Sequence, residues 1–282
     1  MQIRDYSLPN GWYPREKTKV LSFLKDYEKN DSKTGELKSR AAIAPHAGWY
    51  YSGSLAALAV SSLKKDAQTI VILGGHLSGG SPPLFALEDA VKTPFGSMPI
   101  DAEFRSILFK ELNGEEDRYR DNTIEVLLPM VHHFFPGSKL IWLRLPSNID
   151  SFEYGKIISK TAAELNLKIN VLASTDLTHY GANYGFSPAG AGKEALRWMS
   201  EVNDAAIIKA VESGNAADVF RCAKEDQSSC SAGAVLGAMG FAKAENLGSA
   251  RLLKYSTSAD IENSGEIPDS FVGYAAFYYG NL

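Results

Sequence analysis

Thr69-Ile70-Val71-Ile72-Leu73-Gly74-Gly75-His76 opens as an unbroken apolar run, rich in β-branched side chains, and ends on two glycines and an imidazole. Such a run, stopped by turn formers, reads as a strand buried on both faces, as in a parallel sheet covered by helices. Ala41-Ala42-Ile43-Ala44, Lys139-Leu140-Ile141-Trp142-Leu143 and Ile169-Asn170-Val171-Leu172-Ala173 share the pattern. Helical stripes lie between and after these runs. Leu55, Leu58, Ala59 and Leu63 fall on one face, as do Tyr154, Ile157, Ile158, Ala162 and Leu165, with Asp150 and Glu153 at capping-box spacing. Ala195, Met199, Val202 and Ala206 make a third stripe that Gly214 would stop. Val20, Leu21, Leu24 and Tyr27 predict an N-terminal helix, followed by a polar loop from Lys29 to Lys38. Near the end, Arg251–Ser256 and Phe271–Tyr279 read as two strands joined by a polar loop, an antiparallel addition at a sheet edge. With no linker or repeat in view, the expectation is one α/β domain over residues 1–282, a mostly parallel central sheet with helices on both faces.

Composition narrows the function classes. Of 282 residues, 45% are hydrophobic and 22% charged, an ordinary globular balance with enough chain to enclose a cleft. A net charge of −4 supplies no basic field, so nucleic acid is not the expected partner. No apolar leader or membrane-length segment is present, and a cytoplasmic protein with no membrane partner is expected. The two cysteines, Cys222 and Cys230, make neither a disulfide framework nor a four-thiolate zinc site.

An open α/β sheet binds ligands outside the carboxyl ends of its strands. His46 follows the first run, His76 the second, and Asp176 and His179 follow the fourth in Ser174-Thr175-Asp176-Leu177-Thr178-His179-Tyr180. The chain has five histidines, so three at one predicted edge is a convergence that scatter would not produce. Cys230 precedes the small-residue stretch Ser231–Ala242, where a helix N-terminus would favour its thiolate. Two imidazoles and a thiolate suit Fe, Cu or Zn and leave a coordination position open. The plainer alternatives are a buried hydrophobic Cys230 and loop-anchoring roles for His46 and His76. Glu125 is a further acid–base candidate, although its spacing from Asn122 also fits a capping box. His132 and the adjacent His133 read as surface or capping residues near a helix end. Gly-x-Ser-x-Gly, a phosphate-loop signature and His-Glu-x-x-His are all absent.

Ala44-Pro45-His46-Ala47-Gly48-Trp49-Tyr50-Tyr51-Ser52-Gly53 resembles the signature of the Memo family, whose bacterial and archaeal members are also called AmmeMemoRadiSam system protein B. Supporting matches follow in order: Gly11-Trp12-Tyr13-Pro14, Ile72-Leu73-Gly74 leading to His76, Thr93-Pro94-Phe95-Gly96, Ile124-Glu125-Val126 and Ser174–Gly181. The resemblance implies a fold similar to class III extradiol dioxygenases. It also implies a metal site at His46, His76 and Cys230, with His179 and Asp176 in the acid–base region. Three segments depart from the family pattern: Gly74-Gly75-His76 is shortened, Asn122 replaces a histidine, and Cys230-Ser231-Ala232 replaces Cys-Gly-Arg.

Three functions are therefore expected to compete. The first is a redox-capable iron or copper protein of the Memo type. The second is an extradiol-type dioxygenase acting on a small aromatic, and the third a non-catalytic module holding a small molecule or peptide in its pocket. In each, His46, His76, His179 and Cys230 should face one pocket.

Overall fold

In the computed structural model, which describes residues 1–30, 37–262 and 267–280, the apolar runs become strands and the stripes between them helices. The strands are β1 (Ile3–Arg4), β2 (Ala41–Ala44), β3 (Thr69–Leu77), β4 (Leu84–Phe85), β5 (Ala90–Thr93), β6 (Gly96–Pro99), β7 (Glu115–Glu116), β8 (Lys139–Pro146), β9 (Ile169–Ser174), β10 (His179–Gly181), β11 (Ala250–Thr257) and β12 (Ser270–Tyr279). The helices are α1 (Lys17–Asn30), α2 (Trp49–Ser61), α3 (Ala102–Glu111), α4 (Asn122–Glu125), α5 (Leu128–Phe134), α6 (Ser151–Glu164), α7 (Gly192–Trp198), α8 (Ala205–Ser213), α9 (Ala216–Glu225), α10 (Ala232–Ala244) and α11 (Ser258–Glu262). Among the described residues, no helix is long and apolar enough to cross a membrane.

β2, β9, β3 and β8 lie side by side and run parallel. The margins are antiparallel: β12 pairs with β2 and carries β10 and β11, while β4 pairs with β8. The sheet is thus mixed: its four central strands are parallel, β12 and β4 join them antiparallel, and β7 adds to β4 in parallel at the rim. Successive residues of the central strands feed opposite layers. Ala42, Ile70, Ile72 and Leu140 pack on one side, and Ala41, Ile43, Val71 and Ile141 on the other. That is why these strands read as continuous apolar runs. β1, β5 and β6 form a separate small sheet.

Several local expectations change. β3 runs on through the two glycines, so His76 sits within the strand's last turn of chain, at φ 57°, rather than in a following loop. Asp150 is already helical and makes no side-chain cap, and Glu153 pairs with Lys156 instead. α1 reaches Asn30, two residues into the loop expected over Lys29–Lys38, and residues 31–36 lie outside those described. Gly214 does end α8, at φ 72° in the left-handed region.

The third stripe breaks at a π-helical segment, Met199–Asp204, between α7 and α8. The widened turn rotates the following face. Val202 is left 54% exposed and Ala206 also faces out, while Asn203 and Asp204 turn inward and Ile207, Ala210 and Val211 take up the buried face. Asp204 Oδ1 accepts the Thr178 backbone N–H at 3.1 Å, and the Tyr255 hydroxyl donates to Oδ2 at 2.7 Å. This network holds the chain between Asp176 and His179.

α10 packs against β3, β8 and β9 and meets α6 backbone to backbone. A Cβ on Gly155 would lie 1.9 Å from the Gly237 carbonyl oxygen, and one on Gly240 would lie 1.8 Å from that of Phe152. At its start, a Cβ on Gly75 would lie 2.3 Å from the Ser231 side chain, so β3 and α10 touch beside His76 and Cys230.

Two outcomes follow from this packing. Gly155→Ala should cost about 1–3 kcal/mol by forcing the helices apart, whereas Gly137→Ala, with nothing within 4 Å, should be near neutral. Urea denaturation of both variants reads the difference. Burial pushes the Asp204 carboxyl up to about 6 from 3.8, so the folded chain holds its proton more tightly than the unfolded one. Relative to the non-titrating Asp204→Asn, wild-type stability should be greatest below pH 3.8 and fall as pH rises through 6. The full change is on the order of 3 kcal/mol, checked by the wild-type-minus-variant stability at several pH values.

Candidate metal centre

Pairing of β2 with β9 sets Ala44 beside Ser174, which brings the segments following both strands together. His46, two residues past β2, is buried; its backbone N–H donates to Asp176 Oδ1 at 2.7 Å and its Nδ1 lies 2.8 Å from Ser174 Oγ. That leaves Nε2, which faces Cys230 Sγ at 3.2 Å. Cys230 stands just before α10, and its sulfur accepts the Asp176 backbone N–H at 3.3 Å. On the neighbouring strand, His76 Nδ1 meets Asp121 Oδ2 at 2.9 Å, which leaves Nε2 free to turn inward. Arg144 on β8 holds both sides of this pair, reaching Asp121 Oδ2 at 3.2 Å and donating from Nε to the Gly75 carbonyl at 2.9 Å.

The result is a cluster. One donor atom from each of His46, His76 and Cys230 lies within 4.8 Å of the others, and the two imidazole rings stand 5.0 Å apart at 87°. Two donors bound tetrahedrally to one ion at ordinary bond lengths are about 3.5 Å apart, close to the His46–Cys230 separation. In both histidines Nδ1 is engaged by a second residue, the arrangement that orients an imidazole for coordination. The donor set therefore fits a transition metal.

Asp176 Oδ2 lies 3.9 Å from Nε2 of His46 and equally 3.9 Å from Nε2 of His179. The His179 ring rests on Tyr184, centroids 4.9 Å apart. His46, His76, Asp176 and His179 all line one open pocket of about 610 Å³, walled further by Trp12 and Tyr274. Cys230 meets the two metal-candidate histidines from beneath and does not line that pocket.

Charge here is mutually induced. Burial opposes ionisation of the Cys230 thiol, yet the facing imidazoles of His46 and His76 hold its pKa well below the ordinary thiol value. Burial likewise opposes a charged His46, but Cys230 and Asp176 raise it. His76 is lifted to about 10, against its burial, by Asp121 and Cys230, and Asp121 falls to about 2 under His76 and Arg144. Asp176 is lowered despite its burial by His46 and His179, and His179 is raised by Asp176 and Cys230.

Glu125 is not brought to this cluster. It accepts hydrogen bonds from the Ser7 backbone at 2.8 Å, the Ser7 hydroxyl, the Leu8 backbone at 3.2 Å and the Tyr13 hydroxyl at 2.8 Å. It thus anchors the N-terminal segment that supplies Trp12 to the pocket wall. Nor does it close a capping box with Asn122, because the cap of α4 is Asp121, accepting from Thr123 N–H at 2.9 Å. His132 bonds Thr93 at the end of α5, and His133 stacks by Phe95, both away from the cluster. Asp121, Arg144 and Ser174 carry no motif in the sequence that marks them as partners of the two histidines. An acidic residue opening α4 was visible, but nothing local tied it to a histidine 45 positions earlier.

Asp121→Asn should keep the fold yet lower affinity for Zn²⁺ or Co²⁺ by about 10–100-fold, because an amide holds the His76 tautomer less firmly. Competition with a chromophoric chelator measures it; unchanged affinity would show that Asp121 does not orient His76.

The family described as Memo-like protein matches residues 4–278. A MEMO1 family protein of Thermococcus onnurineus is 28% identical over 293 residues, covering 98% of this chain and 99% of its own length. One from Methanococcus maripaludis is 30% identical over 288 residues, covering 94% and 95%. Among solved structures, the uncharacterized protein JW3007 of Escherichia coli K12 aligns with a TM-score of 0.50 at 13% identity, over 85% of this chain and 99% of that one, a likeness of fold alone. Family match, relatives spanning nearly the whole chain and the mixed α/β sheet agree: this chain belongs to the Memo-like family.

Proposed function

We propose that the protein binds a redox-active transition metal, iron or copper, through His46, His76 and Cys230, and presents it to a small-molecule or peptide ligand in the pocket. The observation that carries this reading is the convergence of two pre-oriented imidazoles on a stabilised thiolate beneath an open cavity of about 610 Å³. A metal bound there would supply Lewis acidity and one-electron chemistry to whatever the cavity holds. A thiolate donor favours softer metal states than a third carboxylate would. A cytoplasmic setting, where thiols stay reduced, suits two free cysteines.

The chain's own groups have distinct tasks. His179, half-buried at the pocket wall, is placed to hold a proton on Nε2 and pass it to a ligand, and Asp176 keeps the imidazolium stable and oriented. Trp12, Tyr51, Tyr184 and Tyr274 line the pocket and give a ligand aromatic surface to pack on. These aromatic walls favour, as a second reading, dioxygenase-type chemistry on a small aromatic. Among the described residues no Lys or Arg lines the pocket, so the cationic groups that meet a ligand there are the imidazoles of His46, His76 and His179.

Elemental analysis of untagged protein after dialysis tests the metal, and oxygen uptake with a reductant, with and without catechol, tests turnover. Cys230→Ser should weaken Cu(I) retention far more than that of a hard divalent ion, whereas His46→Ala and His76→Ala should weaken both. His179→Gln should keep the metal and lose turnover. Equal retention by wild type and all three ligand variants would reject the ligand set and favour a binding module without metal.

A further inference from the structure

The sulfur side of the cluster has a cavity of its own. Cys230 borders a second space of about 300 Å³ with Leu177, Ala223, Gln227 and Ser229, residues that the larger pocket does not touch. His179 and Tyr184 border both spaces, so this ring pair, centroids 4.9 Å apart and tilted 34°, forms the wall between them. Two routes therefore reach the same three donors, one past His46 and His76 and the other onto the sulfur of Cys230.

We infer that the smaller cavity is a separate port admitting a small, uncharged, hydrogen-bonding molecule to the sulfur face, while the larger pocket receives the main ligand. The size, at the bottom of the range for ligand cavities, suits a small molecule rather than a drug-sized one. Gln227 and Ser229 supply hydrogen-bonding groups, among the described residues no Asp, Glu, Lys or Arg lines the space, and the imidazole on its wall, His179, is already faced by Asp176. The use of such a port in metal chemistry rests on the function proposed above; the route itself is a property of the chain and is testable without metal.

The test is alkylation of metal-free protein by iodoacetamide, an uncharged reagent of this size, with Cys230 followed by peptide mass spectrometry and buried Cys222 as internal reference. Ala223→Trp, which fills the small cavity, should slow Cys230 modification by about tenfold or more. Asn183→Trp, which crowds the larger pocket, should leave the rate within about twofold. Should Ala223→Trp fail to fold, Gln227→Trp at an exposed position of the same cavity replaces it. Tyr184→Ala removes the wall and should open Cys230 to the bulky N-(1-pyrenyl)maleimide, which should modify wild type slowly if at all. Slowing by Asn183→Trp alone, or by neither variant, overturns the port. Absence of metal from the native protein would overturn the metal reading while leaving these rates interpretable.

Discussion

A single buried carboxylate-bearing residue, Asp176, ties three distant stretches of chain to one point. Its Oδ1 receives the backbone N–H of His46, its own N–H donates to Cys230 Sγ, and its Oδ2 faces both His46 and His179. Burying a carboxylate is costly unless its oxygens find donors and positive partners nearby. Here the partners are the functional groups themselves, so the need to satisfy one residue also assembles the site. Thr178, next along, is held from below by Asp204 and Asn203, which the π-helical turn rotates inward. A local irregularity in a helix thus fixes the far side of the same loop.

The second constraint is close backbone packing. α10 reaches α6 through glycines and presses its first residues against Gly75. Cys230 consequently has no latitude to drift from the end of β3. The helix that follows it adds the polarity of its unsatisfied N–H groups to the effect of the facing imidazoles, and both favour thiolate. Glu125 serves a comparable structural purpose for the pocket's rim, gathering Ser7, Leu8 and Tyr13 onto one carboxylate.

The central strands were legible because burial on both faces leaves a one-dimensional record, an unbroken apolar run between turn residues. His46, His76 and His179 were legible as candidates for a related reason: in a parallel sheet, residues just after the strands share one edge whatever their separation in the chain. Where local rules compete with tertiary ones, the tertiary ones win. Asp150 and the Asn122–Glu125 spacing both suggested caps, yet Asp150 is drawn into its helix and Glu125 is claimed by the N-terminal segment. Val202 fitted a regular 3.6-residue stripe, but the widened turn that exposes it leaves no signature in residue periodicity.

By itself, the sequence determined the α/β class, the parallel core and the chemical identities of the groups at its edge, because apolar patterning and donor chemistry are properties of individual residues and near neighbours. Only the tertiary structure decided which donors converge, that Asp121 and Arg144 brace His76, that Glu125 stands apart, and that Cys230 opens on a cavity separate from the main pocket. Those outcomes depend on strand order, on the approach of α10 and on hydrogen bonds spanning as many as 184 positions, and such distances in three dimensions have no local imprint in the chain.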